Sequence, residues 1–440
     1  MSTPGSSNAL VQIVTTDLAG ITRGRSVAAD DAGTWQVQGV GWVPGNLALD
    51  PFDTLVTPNP FGPIGDLRLK PDMSTEVTIE DMQGRPALHF IVADLLEMDG
   101  SPWACCPREF LRLALADLGE TGLRLVAAFE QEFTLTDGTV RPAPAYSVAA
   151  HRRREPFLSA LHAALRMARI EPESTLAEYG PHQFEVSIAS VRGVAVADRA
   201  VILREVTRDL AEAHGYAVSF SPKPQPEGAA NGVHIHFSLR DAAGQPVGYD
   251  PAQPGGLSDL AGAFAAGILR HLPALCAITA PSPVSYLRLV PQHWSTAYAC
   301  LGVQNREAAL RVCTAPASAG DPARGFHLEF RATDATANPY LALGALVRAG
   351  LAGLRDKLPT PPLVNVDPAT LSEAERARLG VTRLPESLAA TLHALTEDAE
   401  VRGWFPPLLL QTMLSVKAHE ATQAAKLTPD ELCRRYAAVY

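Results

Sequence analysis

The chain changes its hydrophobic pattern close to residue 107. Before this point, short apolar runs are interrupted by Gly and Pro, a pattern typical of short strands joined by turns. After it, apolar residues recur at helical spacing in long segments that alternate with strand-like segments. The pattern predicts an α+β protein, with a small β-rich domain over residues 1–106 and a large domain of sheet and helices over residues 107–440.

The same pattern places the individual elements. In the N-terminal part it predicts strands at 10–14, 34–40, 76–79 and 88–94, and a long irregular loop over 41–71. In the C-terminal part it predicts strands at 124–135, 183–189, 216–220, 233–239, 297–301, 307–312 and 326–331. The predicted helices cover 107–118, 156–169, 197–214, 256–272, 338–355, 385–399 and 406–425.

Composition and charge narrow the class of protein. Of the 440 residues, 47% are hydrophobic and 19% are charged, as in folded globular proteins. A net charge of −10 argues against nucleic acid or a membrane surface as the main partner. The N-terminus lacks the features of a secretion signal, and no apolar run approaches the ~20 residues that span a bilayer. Six scattered cysteines without CxxC pairs favour a reducing compartment, so we expect a cytoplasmic protein.

Two acidic residues, Glu130 and Glu132, lie in a predicted strand that is otherwise rich in apolar residues. Residues two apart on a strand share a face, so the two carboxylates lie side by side and repel each other. Such a pair is costly unless it is solvated or neutralised, for example by a divalent cation. A solvated surface strand explains the pair alone equally well.

Other polar residues could complete a cation site. Glu178 and Glu185 flank a turn that could bring them together, although exposed acids are common. His234 and His236 share one face of another predicted strand, which suits a metal ligand or a phosphate contact; buried core histidines are the alternative.

Arginines accompany polar groups in the C-terminal half of the chain. Guanidinium groups bind carboxylates and phosphates, so several in one site suggest an anionic substrate, whereas any one alone is better explained as a surface ion pair. The sequence has no P-loop, dinucleotide-binding GxGxxG or GxSxG nucleophile motif. The candidate residues are Arg288, Arg306, Arg311 and Arg331.

Taken in order, these segments resemble the glutamine synthetase superfamily, and in particular its γ-glutamyl-amine ligase branch. The resemblance covers most of the chain. Its motifs are Glu130-Gln-Glu132, Glu178 through Gln183 to Glu185, His234-Ile-His236, Arg288-Leu-Val-Pro291, Asn305-Arg306 to Arg311, and Glu329-Phe-Arg331 followed by Asp334 to Leu341.

The resemblance implies a β-grasp-like N-terminal domain and a catalytic domain with a curved antiparallel sheet. It implies an ATP-dependent carboxylate–amine ligase that acts through an acyl phosphate, and a homo-oligomer, usually a dodecamer of two stacked rings, with active sites between subunits. It also implies two or more Mg2+ or Mn2+ ions, with one held by Glu132, Glu178 and Glu185, and another by Glu130, His234 and Glu329.

The resemblance further assigns roles to the arginines and to the second histidine. His236, Arg306 and Arg311 would contact the ATP phosphates, and Arg288 and Arg331 would hold the carboxylate substrate. Arg288, Arg306 and Arg331 are therefore the predicted catalytic arginines.

The sequence departs from ammonia-using members of the superfamily at two positions. Where those members carry a flap Glu, six residues after the Arg of R-L-V-P, this chain has Trp294; the segment that aligns with their ammonium-binding Asp begins at Val43. The Asn-Gly that contacts glutamate aligns with Ala229-Ala230, and Asn231-Gly232 is the candidate substitute.

Because both acids are missing, we expect an organic amine with an apolar, alkyl or aromatic body as the nucleophile, giving a γ-glutamylamide from L-glutamate. Two alternatives stay open: an ammonia-dependent glutamine synthetase with a rearranged flap, and an inactive member with a structural or regulatory role.

Overall fold

A computed structural model describes residues 9–80, 85–136, 142–316, 318 and 320–440 of the chain. The N-terminal part forms a six-stranded sheet in the order β2-β1-β6-β4-β3, with β5 paired to β6. Strands β1 and β6 are parallel and the other pairs are antiparallel. The strands are β1 (Leu10–Thr16), β2 (Thr22–Ala28), β3 (Val40–Trp42), β4 (Leu67–Pro71), β5 (Val77–Ile79) and β6 (Leu88–Leu96).

Two N-terminal predictions are wrong. The predicted strand at 34–40 is mainly a helix, α1 (Ala32–Gln38), in which Trp35 is buried and donates its indole N–H to the Ala28 carbonyl, 3.1 Å away, while Val37 is exposed. The interval 41–71 is not wholly irregular, because β3 and β4 lie within it. In β4, Leu67, Leu69 and Pro71 are buried in alternation, a strand pattern that the surrounding Pro and Gly residues concealed.

The C-terminal part is built on a ten-stranded sheet in the order β16-β13-β14-β15-β12-β7-β9-β8, with β10 and β11 also paired to β7. Its pairs are antiparallel except β13 with β14, so the predicted antiparallel sheet is confirmed with one exception. The strands are β7 (Arg124–Thr136), β8 (Pro172–Ala177), β9 (Gln183–Ile188), β10 (Val191–Arg192), β11 (Ala217–Ser219), β12 (Val233–Arg240), β13 (Tyr298–Val303), β14 (Ala308–Cys313), β15 (His327–Phe330) and β16 (Thr382–Arg383).

Helices cover this sheet and connect its strands. The predicted long helices are confirmed, with ends shifted by a few residues. After α1, the helices are α2 (Pro107–Glu120), α3 (Val148–Arg152), α4 (Glu155–Met167), α5 (Ala195–Ala213), α6 (Asp259–Thr279), α7 (Ser285–Arg288), α8 (Pro322–Gly325), α9 (Pro339–Arg355), α10 (Glu373–Leu379), α11 (Leu388–Glu397), α12 (Ala399–Gly403), α13 (Pro407–Ala424) and α14 (Pro429–Ala437).

Helix α6 corrects the expectation that no segment is long and apolar enough to span a bilayer. It has 21 residues and a mean hydropathy of 1.5 in an 18-residue window, but 83% of that window is buried inside the protein. It packs closely on α9: a Cβ on Gly267 would lie 2.1 Å from the Ala349 carbonyl oxygen, and one on Gly353 would lie 2.0 Å from the Ala263 carbonyl oxygen. These contacts are those of a core helix.

One arginine joins the N-terminal sheet to the catalytic part. Arg108, in the first turn of α2, is buried and donates hydrogen bonds to Asp72 at 2.5 Å, to Asp94 at 2.9 Å and to Asp198 of α5 at 2.9 and 3.0 Å. The Tyr340 hydroxyl donates to Asp198 as well, at 2.7 Å. The guanidinium thus neutralises carboxylates from both parts of the chain.

Candidate active site

Strand β7 lies near the middle of the ten-stranded sheet and carries Glu130 and Glu132. Across the pairing with β12, Glu130 is opposite His234; across the pairing with β9, Glu132 is opposite Glu185. Directly opposed side chains on one face of a sheet lie close together. Strand register therefore brings four of the predicted metal ligands to one place.

The carboxylates around Glu132 are poorly compensated by the protein's own charges. Burial raises the pKa of Glu132 to about 7. The hydrogen bond from the Gly232 N–H, at 2.8 Å, acts in the opposite direction but does not outweigh burial. Burial, together with the neighbouring carboxylates of Glu130, Glu132 and Glu178, raises the pKa of Glu185 to about 10. A divalent cation would relieve this repulsion, so the oxygen-rich donor set fits Mg2+ or Mn2+.

A second set of donors surrounds Glu130. Its Oε1 lies 3.0 Å from His234 Nδ1 and its Oε2 lies 3.6 Å from His236 Nε2. Burial and Arg331 lower the pKa of His234 to about 4, which leaves the neutral imidazole that a metal requires. Ligand atoms that lie within 4.8 Å of one another form the sets Glu130–Glu185–His234 and Glu130–His236–Glu329, so Glu130 is shared by both.

Glu329 has ample positive charge around it. Arg311 Nη1 lies 2.6 Å from its Oε2, and Arg331 donates a short hydrogen bond to its Oε1. Burial opposes ionisation of Glu329, but the surrounding arginine and histidine side chains, Arg331 above all, outweigh it and lower the pKa of Glu329 to about 2. Glu329 is therefore a carboxylate whenever the protein is folded at neutral pH.

Arg288 is buried and has unused hydrogen-bonding capacity. Its Nη2 donates to the Arg331 carbonyl at 3.1 Å, whereas its Nη1 has no hydrogen-bond partner among the described residues. Gly232 makes room for it, since a Cβ there would lie 2.7 Å from Arg288 Nη2 and from His234 Nε2. A buried guanidinium nitrogen without a partner suits an anionic ligand.

Most of the candidate residues line one of two clefts. We call the first, of about 820 Å³, the Arg288 cleft; it is also lined by Glu132, Glu178, Glu185, His234, Trp294, Arg306 and Arg331. We call the second, of about 510 Å³, the Arg311 cleft; it is also lined by Glu130, His236, Cys313, Arg324 and His327. Of the three predicted phosphate contacts, Arg306 thus lines the Arg288 cleft, whereas His236 and Arg311 line the Arg311 cleft.

The loop that carries Trp294 lies at the mouth of the Arg288 cleft, where the indole is 62% exposed. The N–H groups of Trp294 and Gln292 donate to the Glu307 carboxylate at 2.8 and 3.3 Å, and both residues have positive φ. The Trp294 carbonyl accepts a hydrogen bond from Arg331 at 2.7 Å. The buried Glu307 and Arg331 therefore hold a loop whose backbone most side chains disfavour.

Val43 does not line either cleft within one chain. It follows β3 in the N-terminal part, is 44% exposed, and borders a small pocket with Asp17 and Trp103. Its predicted contact with substrate would need a second copy of the chain.

Family comparisons agree with this geometry. Residues 104–436 match the glutamine synthetase catalytic domain, and residues 6–103 match the glutamine synthetase N-terminal domain. The chain belongs to the glutamine synthetase family.

Relatives of this glutamine synthetase family member include amine ligases. The gamma-glutamylpolyamine synthetase of Streptomyces coelicolor is 35% identical over 96% of this chain and 91% of its own length. The glutamate–isopropylamine ligase of a Pseudomonas species is 29% identical over 84% of this chain and 81% of its own length. A solved structure described as a novel glutamine synthase homolog is 44% identical, covers 100% of both chains and has a TM-score of 0.92.

Membership of the family confirms the predicted class of enzyme. The chain is an ATP-dependent ligase, and the enzymes of its family use ATP, divalent metal ions and small-molecule substrates. The two-part fold, with a β-rich N-terminal domain and a large catalytic domain, is likewise confirmed.

Sequence reasoning missed Glu307 in this glutamine synthetase-like site, and it named Gln183 and Asn231 without the hydrogen bonds that they make. Glu307 was visible as an acid beside Arg306 in an otherwise apolar segment, and its role in holding the loop depends on contacts distant in the chain. Gln183 donates to Glu132 at 3.3 Å, to the Ala230 carbonyl at 2.7 Å and to Asn231 at 2.9 Å. Asn231 is buried, and its side chain accepts a hydrogen bond from Gln183 and donates to the carbonyls of Ser219 and Ser221. These bonds within the protein occupy the amide that was the candidate contact for glutamate.

Proposed function

We propose that this enzyme forms a γ-glutamylamide from L-glutamate and an organic amine, converting ATP to ADP and phosphate. A γ-carboxylate oxygen of glutamate bonds to the γ-phosphorus of ATP as the bond to the ADP oxygen breaks. The amine nitrogen then bonds to the acyl carbon, phosphate leaves with the electrons of the C–O bond, and the nitrogen loses a proton. A carboxylate needs this activation because it is a poor acyl donor.

The arginines of the Arg288 cleft carry the first step. Arg288 offers an unpaired Nη1 to the substrate carboxylate, and Arg306 is exposed in the same cleft. Arg331 is held in place by the carbonyls of Trp294 and Arg306, at 2.7 and 3.0 Å. Fixed guanidinium groups offset negative charge without reorganising during the reaction.

The acid-rich face of the sheet supplies the ligands for metal. Bound Mg2+ or Mn2+ would neutralise charge on the phosphoryl oxygens, and these residues provide mainly the oxygen ligands that both ions prefer. The proposed ligands are Glu130, Glu132, Glu178, Glu185, His234 and Glu329.

The residues at the mouth of the Arg288 cleft are the main support for an organic amine as the substrate. Trp294, Tyr146 and Tyr179 line the Arg288 cleft, with 62%, 48% and 74% of their surface exposed, and Leu176 lies beside them. An aromatic and apolar rim gains from contact with an alkyl or aryl body, which ammonium does not have. The Pseudomonas relative is named for such an alkylamine.

A polyamine is the second candidate substrate. Aromatic faces also attract a distal ammonium group, and the carboxylate of Glu227 lines the same cleft. The relative from Streptomyces coelicolor is named for polyamines. A polyamine would place its reacting amine near Glu132 and its second charge at the rim.

Phosphate release in the presence of glutamate and ATP tests both candidates. The panel contains isopropylamine, benzylamine, putrescine, spermine and ammonium, and mass spectrometry identifies the amide. We expect an organic amine to exceed ammonium in kcat/KM by at least about 100-fold, since contact with the rim is lost for ammonium. A preference for ammonium would overturn the proposal in favour of a glutamine synthetase. If no amine in the panel stimulates phosphate release, and hydroxylamine gives no acyl hydroxamate, the chain is an inactive member of the family.

We further propose a homo-oligomer, as the superfamily resemblance implies, with Val43 of one subunit reaching the cleft of its neighbour. Val43 is exposed and lines neither cleft within one chain, which supports this arrangement. Light scattering on the purified protein measures the mass, and a dodecamer is the expected result. The domain boundary at 106/107 and a cytoplasmic location, supported by six buried free cysteines, remain predictions.

A further inference from the structure

A group of nitrogen and sulfur ligands lies in the Arg311 cleft, next to the carboxylates. Cys313 ends β14 and His327 begins β15, and these two residues are directly paired across the sheet. His236 comes from β12, on the other side of β15. Ligand atoms of the three side chains all lie within 4.8 Å of one another, close enough for one ion to reach all three after modest side-chain rotation.

The two imidazoles are oriented as metal ligands require. His327 Nδ1 lies 2.9 Å from the Gly325 carbonyl oxygen, so this nitrogen carries a proton and donates it. Its Nε2 then directs a lone pair toward His236, whose Nδ1 is 3.0 Å away. A carbonyl that fixes the protonated nitrogen of an imidazole is the usual support of a metal-binding histidine. His236 Nε2 lies 3.6 Å from Glu130 Oε2 and makes no shorter hydrogen bond within the part of the chain that the structure describes.

We propose that His236, Cys313 and His327 bind a thiophilic divalent cation, Zn2+ in particular, at a site that shares His236 with the set Glu130–His236–Glu329. Zn2+ takes thiolate and imidazole ligands in tetrahedral sites, and three protein ligands leave a fourth position for water or an anion. Mg2+ prefers oxygen, and Mn2+ binds nitrogen and sulfur more weakly than Zn2+. The carboxylate of Glu329 adjoins the site, with its Oε2 3.8 Å from Cys313 Sγ, and is itself paired with Arg311 and Arg331.

Occupation of this site has a consequence that rests on the proposed function. His236 is one of the three predicted phosphate contacts, and the three ligands line the same cleft as Arg311. A Zn2+ ion that engages His236 removes this contact from the nucleotide. Zn2+ therefore weakens ADP binding, although the enzyme needs other divalent ions for its reaction.

Cobalt(II) absorption tests the metal site without substrate. With Mg2+ in excess, Co2+ should give a thiolate-to-cobalt charge-transfer band in the wild-type protein, and Zn2+ should abolish it. Cys313→Ser and Cys313→Ala should lose the band, and His327→Phe should bind Co2+ at least about 10-fold more weakly, since one of three ligands is gone. Cys433→Ser, which removes a buried thiol of α14, is the matched control and should keep the band.

A band that survives in both Cys313 variants, or its absence from wild-type protein, overturns the proposal. Thermal unfolding of each variant shows that it is folded before it is compared. Competition with a fluorescent ADP analogue then examines the consequence: Zn2+ should weaken binding at least about 5-fold in wild type and not in Cys313→Ser. If the cobalt band is present but the ADP analogue binds neither wild type nor any variant, the metal site is supported and the proposed function is contradicted.

Discussion

The two clefts share one strand and differ in the chemistry they offer. In the Arg288 cleft, carboxylates and guanidinium groups meet an aromatic rim, whereas in the Arg311 cleft, imidazoles and a thiol accompany the arginine. Glu132 lines the first and Glu130 lines the second, although they are two residues apart on β7. Two steps along a strand span roughly 6.6 Å, so a single strand can supply both clefts. Under the proposed function, Arg288 and the aromatic rim serve the acyl and amine substrates from the first cleft, while His236 and Arg311 contact the nucleotide from the second.

The largest expected effect comes from Glu132, which faces the Arg288 cleft. Replacing it by Gln keeps its shape and removes the charge that we assign to metal binding. We expect kcat/KM for phosphate release to fall by about 1,000-fold or more with every amine, because electrostatic support is lost where charge develops. Glu171→Gln, on an exposed acid paired with Arg166, should leave the rate unchanged. Substantial activity in Glu132→Gln would contradict the proposal that Glu132 is a metal ligand.

The next effect distinguishes the acyl substrate from the nucleotide. Arg288→Lys keeps a positive charge but loses the planar pair of donors, so the KM for glutamate should rise by about 100-fold. The KM for ATP should change by less than about 3-fold, because Arg288 does not line the Arg311 cleft, which holds His236 and Arg311, two of the three predicted phosphate contacts. Steady-state kinetics with each substrate varied in turn measures both values. Equal changes in the two KM values would show that the clefts are not functionally separate.

A smaller effect is expected at the rim. Trp294→Ala should raise the KM for the preferred organic amine by about 10-fold and leave that for ammonium nearly unchanged, since only the organic amine loses its contact with the ring. Trp294→Phe, which keeps an aromatic face, should recover most of the affinity. If the KM for the organic amine is unchanged in Trp294→Ala, other residues of the cleft determine the selectivity for the amine.

The smallest effect concerns the carboxylate beneath the rim. Glu307→Gln keeps one acceptor for the backbone N–H groups of Gln292 and Trp294, and Glu307→Ala keeps none. We expect the amine KM to rise about 3-fold in the Gln variant and more in the Ala variant, since the loop loses its support. Because Glu307 acts on loop position, kcat should change less than KM. The opposite pattern would place Glu307 in the chemical step.

Much of the catalytic sheet was predictable because its signals are local. Alternation in β7 and β12 placed Glu130, Glu132, His234 and His236 on strands, and their faces followed from the two-residue period. Which strands are neighbours was not predictable from spacing, since β7 pairs with β9 and β12 across long separations in sequence. Family resemblance grouped the candidate ligands, and the structure supplied the strand order.

The residues that sequence reasoning missed act through distant partners. Glu307 matters because a loop 13 to 15 residues earlier folds onto it. The Cys313 thiol gains its setting from His236, 77 positions before it in the chain. The helix α1 was mistaken for a strand because Trp and Val favour strands locally, while burial of Trp35 against the N-terminal sheet decides the outcome.

The Arg108 network limits how this gene can be recombined. Its guanidinium belongs to α2, two of its carboxylate partners lie in the N-terminal domain, and Asp198 lies in α5. A crossover near residue 106 that imports an N-terminal domain without both Asp72 and Asp94 leaves a buried cation short of partners, at a cost of about 3–5 kcal/mol. Chimeras made to exchange amine specificity should therefore keep Arg108 together with Asp72, Asp94 and Asp198, because buried ion pairs connect the two sides of this boundary.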